Sequence, residues 1–269
     1  MKKAPIMSFA ILAFVVLLSF LGGFIYPVPP YDMSAKELLH APDFAHVLGT
    51  DRLGRDVLAR IIEGGKVSLA IGFFSAAITS LIGLIAGVSA GFFAKNTDRV
   101  IVVLIDLFLT FPTFFLLLAL ISYVNASALT IIIVISVTGW MSMARLVRSE
   151  SFAISSQPFI KALKLAGVSK IKIIFKYFAP ILAPIFLVSF TFSLSGAILA
   201  ESGLSFLGIG VMPPDISWGN IMSEGKEVID AAWWISFFPG FMIFLVTFSL
   251  VNINDYLQFL SNQKDMQNQ

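Results

Sequence analysis

QPFIKALKLAGVSKIKIIFKYFAPILAPIFLVSFTFSLSGAILAESGLSF, residues 157–206, decides the fold. Its first half is studded with lysines. Its second half is an apolar run long enough to cross a bilayer, which takes about 20 residues. Pro158 suits the first turn of a helix, where its missing N–H costs nothing. Phe159, Leu163 and Ala166 then share a face, with Lys161 and Lys164 turned away. Gly167 fits a helix C-terminus. Ser169 can cap a second short helix with an apolar stripe of Ile171, Ile174, Phe175 and Phe178. Pro180 and Pro184 lead into the span. The residues alone leave two readings open: a helix pair resting on anionic lipid, or a docking element whose stripe fits a groove on a partner.

Working outward, the chain has 269 residues, of which 58% are hydrophobic and 13% charged. Its mean hydropathy is +0.92. That excludes a soluble domain and points to a polytopic membrane protein. Six runs approach span length: Ile6–Tyr26, Val67–Ala94, Val100–Tyr123, Ala128–Met143, Pro180–Leu199 and Trp233–Ile253. In lipid such runs are helices, because unpaired backbone groups are costly there. The first follows Lys2 and Lys3, lacks a small-residue cleavage site and reads as an uncleaved span. With the N-terminus inside, 12 of the 18 Lys and Arg residues fall in cytosolic pieces, from Lys2 through Arg145, Arg148 and Lys161 to Lys264. Both termini are therefore expected in the cytosol, with Pro27–Lys66 and Gly208–Ala232 facing outward. The expected organisation is an N-terminal helix plus outer loop over 1–66, a five-helix core over 67–260 with a cytosolic loop at 144–179, and a cytosolic tail at 261–269. Cysteine is absent, and His40 and His46 both lie outside the runs, so the spans offer no thiolate or imidazole metal site.

Three features inside the runs invite a role. Asp106 lies in the third run, where an ionised side chain must pair or face the bundle interior. Arg99, two turns earlier, is about 10 Å away by helix rise, too far for a direct pair. Glu201, near the outer end of the fifth run, is expected either on a translocation pathway or as a helix-end charge in water. Gly83, Gly87 and Gly91 form a small-xxx-small ladder, expected to pack within the bundle or against a second subunit. The sequence has no phosphate-binding loop and no HExxH. An intramembrane enzyme using Glu201 or Asp106 would need a second catalytic group at matching depth, and none is visible.

The 157–180 segment resembles the cytosolic coupling loop of ABC importer permeases. Lys161-Ala162-Leu163 stand at that loop's Glu-Ala-Ala, Gly167 at its glycine, Tyr177 at its later hydrophobe and Ala179-Pro180 at its Leu-Pro. Lys161 reverses the charge of the family glutamate. Two further blocks are similar to the dipeptide, oligopeptide and nickel branch. One is HVLGTDRLGRDVLARIIEGGKVSLAIG at 46–72, where Thr50 or Asp51 is expected to cap a short helix held at the outer surface by its charges. The other is AILAESGLSFLGIGVMPPDISWGN at 197–220. The resemblance implies an all-α, MetI-like bundle of about six transmembrane helices in the bacterial inner membrane. It implies a non-catalytic permease subunit that pairs with a second homologous permease, two cytosolic ATPases using ATP and Mg, and an extracytoplasmic solute-binding protein. Membrane lipid surrounds it, and nucleic acid has no part. The implied cargo is dipeptides or oligopeptides, with nickel or a nickel chelate as the alternative. The implied coupling residues are Pro158, Phe159, Lys161, Ala162, Leu163, Gly167, Tyr177 and Pro180.

Overall fold

The computed structural model describes residues 4–124 and 127–267, with side chains described as far as Ser261. Ten α-helices follow in order: α1 Ile6–Ile25, α2 Val57–Phe93, α3 Lys95–Leu109, α4 Thr113–Ile121, α5 Ala128–Ser156, α6 Pro158–Leu165, α7 Lys170–Ile173, α8 Ala179–Phe206, α9 Trp218–Lys226 and α10 Trp234–Gln267. A π turn, Ile174–Phe178, joins α7 to α8. No strand forms among the described residues, apart from an isolated bridge between Thr50 and Asp56. Five helices are long and apolar enough to cross a membrane, six if the bent pair α3 and α4 is one span. The all-α, six-span expectation holds.

The helices begin where caps allow. Ser127 accepts from the Thr130 N–H at the start of α5, and Ser217 accepts from Asn220 at the start of α9. The cap of α2 is Asp56, whose carboxylate accepts from the Ala59 N–H at 2.8 Å. This corrects the expectation of a separate short helix capped by Thr50 or Asp51. Residues 50–56 are a turn, and α2 starts at Val57, so a boundary at residue 66 falls inside it. Nor does the third run make one straight helix. Pro112 has no N–H to continue the ladder, and α3 and α4 meet at 83°. The fourth run was drawn too short. Helix α5 continues past Met143 to Ser156, about 43 Å in all. The tail at 261–269 lies almost wholly outside the residues whose side chains are described.

The core divides into four clusters. One cluster joins α1, α2, α9 and α10 around Trp218 and Ile235, both fully buried. A second joins α2, α4, α5 and α8 through Ile71, Ile131 and Leu204. A third seats α6, α7 and the π turn under the ends of α2 and α5, through Phe92, Val147, Ile160, Ile173 and Phe178. A fourth, of Ile105, Met141 and Ala144, joins α3 to α5.

Candidate functional site

At one end of the bundle, Arg60 lies in the first turns of α2 and is only 1% exposed. Its guanidinium pairs with Asp51 and, at 2.6 Å, with Glu224 of α9. Arg55 reaches the same two carboxylates, each at 2.6 Å. Asp51 also accepts the backbone N–H groups of Leu53 and Arg55. Two cations thus share two anions, the condition under which buried charge is tolerated. The charges of this block therefore close a buried knot, a correction to the expectation that they hold a helix at the water surface. A second layer surrounds Asp56, which accepts from the Tyr26 hydroxyl at 2.8 Å and lies 2.9 Å from Nδ1 of His46. Hydrogen bonding to Asp56 raises the pKa of His46 above its ordinary value, against a smaller opposing effect of burial, and Glu37 at 3.4 Å adds to the rise.

Glu201 is fully enclosed, which corrects the reading of a helix-end charge in water. Its Oε2 accepts from Ser68 of α2 at 3.1 Å, and its Oε1 accepts from Ser205 at 2.7 Å. Each serine oxygen in turn accepts a backbone N–H: Ser68 from Trp218 and Ser205 from Val211, both at 3.1 Å. Two relays thus converge on one carboxylate. Between them they hold both ends of the outer segment 208–217. Gly210 and Gly219 are needed here because a Cβ on either would meet backbone of α8, at 2.4 Å and 2.6 Å.

Asp106 finds its partner within the chain. Arg145 of α5 donates to it at 2.8 Å, supplying the pair that Arg99 was too far away to make. Nearer the start of α3, Arg148 donates to both oxygens of Asp98. The two pairs stitch α3 to α5. The glycine ladder also resolves to α5. A Cβ at Gly83, Gly87 or Gly91 would meet the carbonyl oxygens of Trp140, Ala144 and Arg148 at 3.0, 2.8 and 2.9 Å in turn. The ladder is a seam within the bundle.

At the opposite end of the bundle, α6 is closed by Gly167 with φ +74°. The Val168 N–H donates to the Leu163 carbonyl and Gly167 to Lys164, the double bond of a left-handed helix stop. The buried anchors are Ile160, Ile173 and Phe178. The two stripes read from spacing hold in part: Leu163 and Ile174 pack against the same cluster as Phe178, while their remaining members do not. Phe159 is nearly half exposed and touches Tyr177, while Ile171 and Phe175 face outward. The Lys164 ammonium lies 4.5 Å from the Phe92 ring centre and that of Lys170 lies 5.3 Å from Phe93, so both clamp α2 from below. Pro180 begins the span after the π turn, where the Ala179 N–H reaches back to Ile174.

Between the two ends lies a cavity of about 520 Å³. Its wall takes Thr79 from α2, Thr113 from α4, Thr138 and Ser142 from α5, Ser189 and Ser193 from α8, and Asn254 and Gln258 from α10. Apolar residues fill the rest, and no charged side chain lines it.

The order and spacing of these parts match a known family. The family described as the binding-protein-dependent transport system inner membrane component matches residues 60–260. The chain belongs to this family. Among similar proteins, the oligopeptide transport system permease protein OppC of Haemophilus influenzae is 31% identical, over 98% of this chain and 86% of that one. The dipeptide transport system permease protein DppC of Bacillus subtilis is 34% identical, over 96% of this chain and 81% of that one. The inward-facing MetNI methionine ABC transporter aligns with a TM-score of 0.56, over 73% of this chain and 95% of that chain, at 18% identity, and supports the fold.

Within the permease, the predicted coupling residues Pro158, Phe159, Lys161, Ala162, Leu163, Gly167, Tyr177 and Pro180 come together on one platform. Asp106 and Glu201 do not meet. The first pairs across to α5, the second ties α8 to α2, and neither lines the cavity. Sequence reasoning missed Arg60, Glu224, Arg145, Thr79 and Asn254. A signal existed for Asn254, a polar residue at the end of an otherwise apolar run. Arg60 gave none, because its partner lies 164 residues away.

Proposed function

We propose that this permease is one half of the membrane pathway of an ATP-driven peptide importer. The observation that carries the reading is the two-sidedness of the α6–α7 platform. Ile160, Ile173 and Phe178 are sunk in the bundle, while Phe159, Leu165, Ile171 and Phe175 stand out among Lys161, Lys172 and Lys176. An apolar ridge rimmed by charge suits a protein groove. Two cytosolic ATPases, working with ATP and Mg, take this ridge and its counterpart on a second, homologous permease. The exposed apolar residues of α3, α4 and the elbow between them, Val103, Leu107, Phe111 and Phe115, support that pairing. The outer knot and segment 208–217 receive the extracytoplasmic solute-binding protein, and both termini lie in the cytosol. The chain itself carries no catalysis. Membrane lipid covers the remaining faces.

ATP-driven closure of the ATPases moves the platform, and the platform moves α5 and α8. The spans rock between inward and outward access about the central cavity. The names of the relatives above favour peptides over nickel. Two experiments test this. Gly167→Pro removes the φ that the platform turn requires, and uptake is expected to fall to background with the ATPases no longer retained on purification. Cells with and without the chain, given a labelled dipeptide and labelled nickel in parallel, are expected to differ in dipeptide uptake. Loss of nickel uptake alone would overturn the cargo.

A further inference from the structure

We propose that a second cavity, between the end of α1 and the start of α2, seats the headgroup of a phospholipid that carries a primary ammonium. This cavity holds about 310 Å³. Its wall takes Gly23 and Tyr26 from the exit of α1, Pro27, Pro29 and Pro30 from the chain that follows, and Glu63 from α2. Two apolar runs end here. The first stops at Tyr26, and the second begins at Val67, next to Lys66. The cavity therefore lies at headgroup depth, where tyrosine is a common interface residue. Beside it α1 presents Phe24 and Ile25, 86% and 85% exposed, as a surface for acyl chains.

Gly23 indicates that the space serves something outside the protein. Glycine weakens a helix relative to alanine, so it needs a reason. Gly22 has one, because a Cβ there would meet Ile62 at 3.2 Å. A Cβ on Gly23 would meet nothing within 4 Å, and its bare backbone widens the cavity.

The polar groups of the wall choose the headgroup. Pro27, Pro29 and Pro30 have no N–H, so this stretch of backbone offers mainly carbonyl acceptors. The Tyr26 hydroxyl is already donated to Asp56. Glu63 spends Oε2 on the Lys66 ammonium at 2.6 Å, which leaves Oε1 to accept a second donor. Such a wall suits a cation that carries N–H groups. Lys66 keeps two further N–H groups for a phosphate oxygen. The pair is about one-third exposed on both sides, so both ends stay within reach. An acceptor beside a donor is the complement of phosphoethanolamine, whose ammonium and phosphate sit two carbons apart. A choline headgroup brings a cation without N–H. A glycerol headgroup brings the phosphate with no cation for Glu63.

The test is which lipid the assembled transporter holds. It is reconstituted in bilayers of equal parts phosphatidylethanolamine, phosphatidylcholine and phosphatidylglycerol, then extracted in mild detergent, and the retained lipid is counted by mass spectrometry. The parental chain is expected to hold phosphatidylethanolamine over either of the others by about tenfold in its most slowly released lipid. Glu63→Gln, on the partly exposed wall, is expected to abolish that preference. Gly23→Leu fills the cavity from the opposite wall and is expected to lower the amount of this lipid held. An even share of the three lipids on the parental chain overturns the proposal. So does a preference that survives both substitutions, or phosphatidylcholine held as well as phosphatidylethanolamine. Should one variant fail to reach the membrane, the parental preference and the other variant decide.

Discussion

Gly87→Ala tests whether α2 and α5 touch as closely as the ladder indicates. The added Cβ would lie 2.6 Å from Val147 Cβ, 2.8 Å from Val147 Cγ1 and 2.8 Å from the Ala144 carbonyl oxygen. Carbon atoms in contact sit about 3.5–4.0 Å apart. Relief therefore needs the helices to part by roughly 1 Å, which loosens the seam on both sides of the site. Overpacking of this kind costs about 1–3 kcal/mol, offset by about 1 kcal/mol from the better helix propensity of alanine. The net expectation is about 0–2 kcal/mol of destabilisation, up to about a thirtyfold shift in the unfolding equilibrium. Gly196→Ala, where a Cβ meets nothing within 4 Å, supplies the control and should be neutral or slightly stabilising. The assay is reversible unfolding in mixed micelles, followed by circular dichroism. Val147→Ala added to Gly87→Ala should not restore stability, because the two closest opposing groups, Val147 Cβ and the Ala144 carbonyl, survive that change. Full rescue by Val147→Ala, or equal stability of Gly87→Ala and Gly196→Ala, would refute the backbone-contact argument.

Other outcomes follow from the polar clusters. The folded-state pKa of His46 is raised by Asp56, so its contribution to the outer loop is fully present below the ordinary value of 6.5. That contribution is lost as pH rises through the raised folded value. Hydrogen exchange in residues 37–56 should therefore quicken with rising pH beyond its chemical trend, and His46→Gln should flatten the excess. The Asp106–Arg145 pair is more than half exposed on both sides, so a double-mutant cycle should give a coupling of about 0–1 kcal/mol in the isolated permease. Glu201→Ala strips the acceptor from both serine relays and should cost about 2–4 kcal/mol, with faster proteolysis within 208–217. Glu201→Gln, which keeps one acceptor, should recover part of that loss.

Much of the bundle was legible because bilayer burial writes itself into composition. The first run matched α1 to within a residue, and Ala128 marked the start of α5, since Ser127 is a good cap before an apolar stretch. The end of α5 was hidden: Arg145, Arg148 and Glu150 look like a departure from the membrane, yet the helix simply continues into water. Helix α6 has only two turns, too few for periodicity to tell Phe159 from its buried neighbour Ile160. Asp51 and Asp56 are equally good caps on paper, and the choice fell to the residue not already consumed by Arg55 and Arg60. Pairings across long sequence separations were the least visible. Asp106 and Arg145 are 39 residues apart, and Arg60 and Glu224 are 164 apart. The family motifs located the platform and the outer block, but not the cavity, whose wall is drawn from six helices spread over 180 residues of chain.

The glycine seam also sets the kinematics of the bundle. Helices meshed at three rungs spaced by four residues can slide only by whole rungs, about 6 Å each. Smaller travel is blocked, so α2 and α5 behave as a single beam from the outer knot to the platform. The joints of the machine then lie where backbone regularity is already broken, at the elbow of Thr110–Pro112 and at the π turn of 174–178. Spin-label distances between α2 and α5 should hold constant through the ATP cycle while those from α5 to α4 change. A beam with two elbows converts a small push beneath the membrane into a tilt along its whole length.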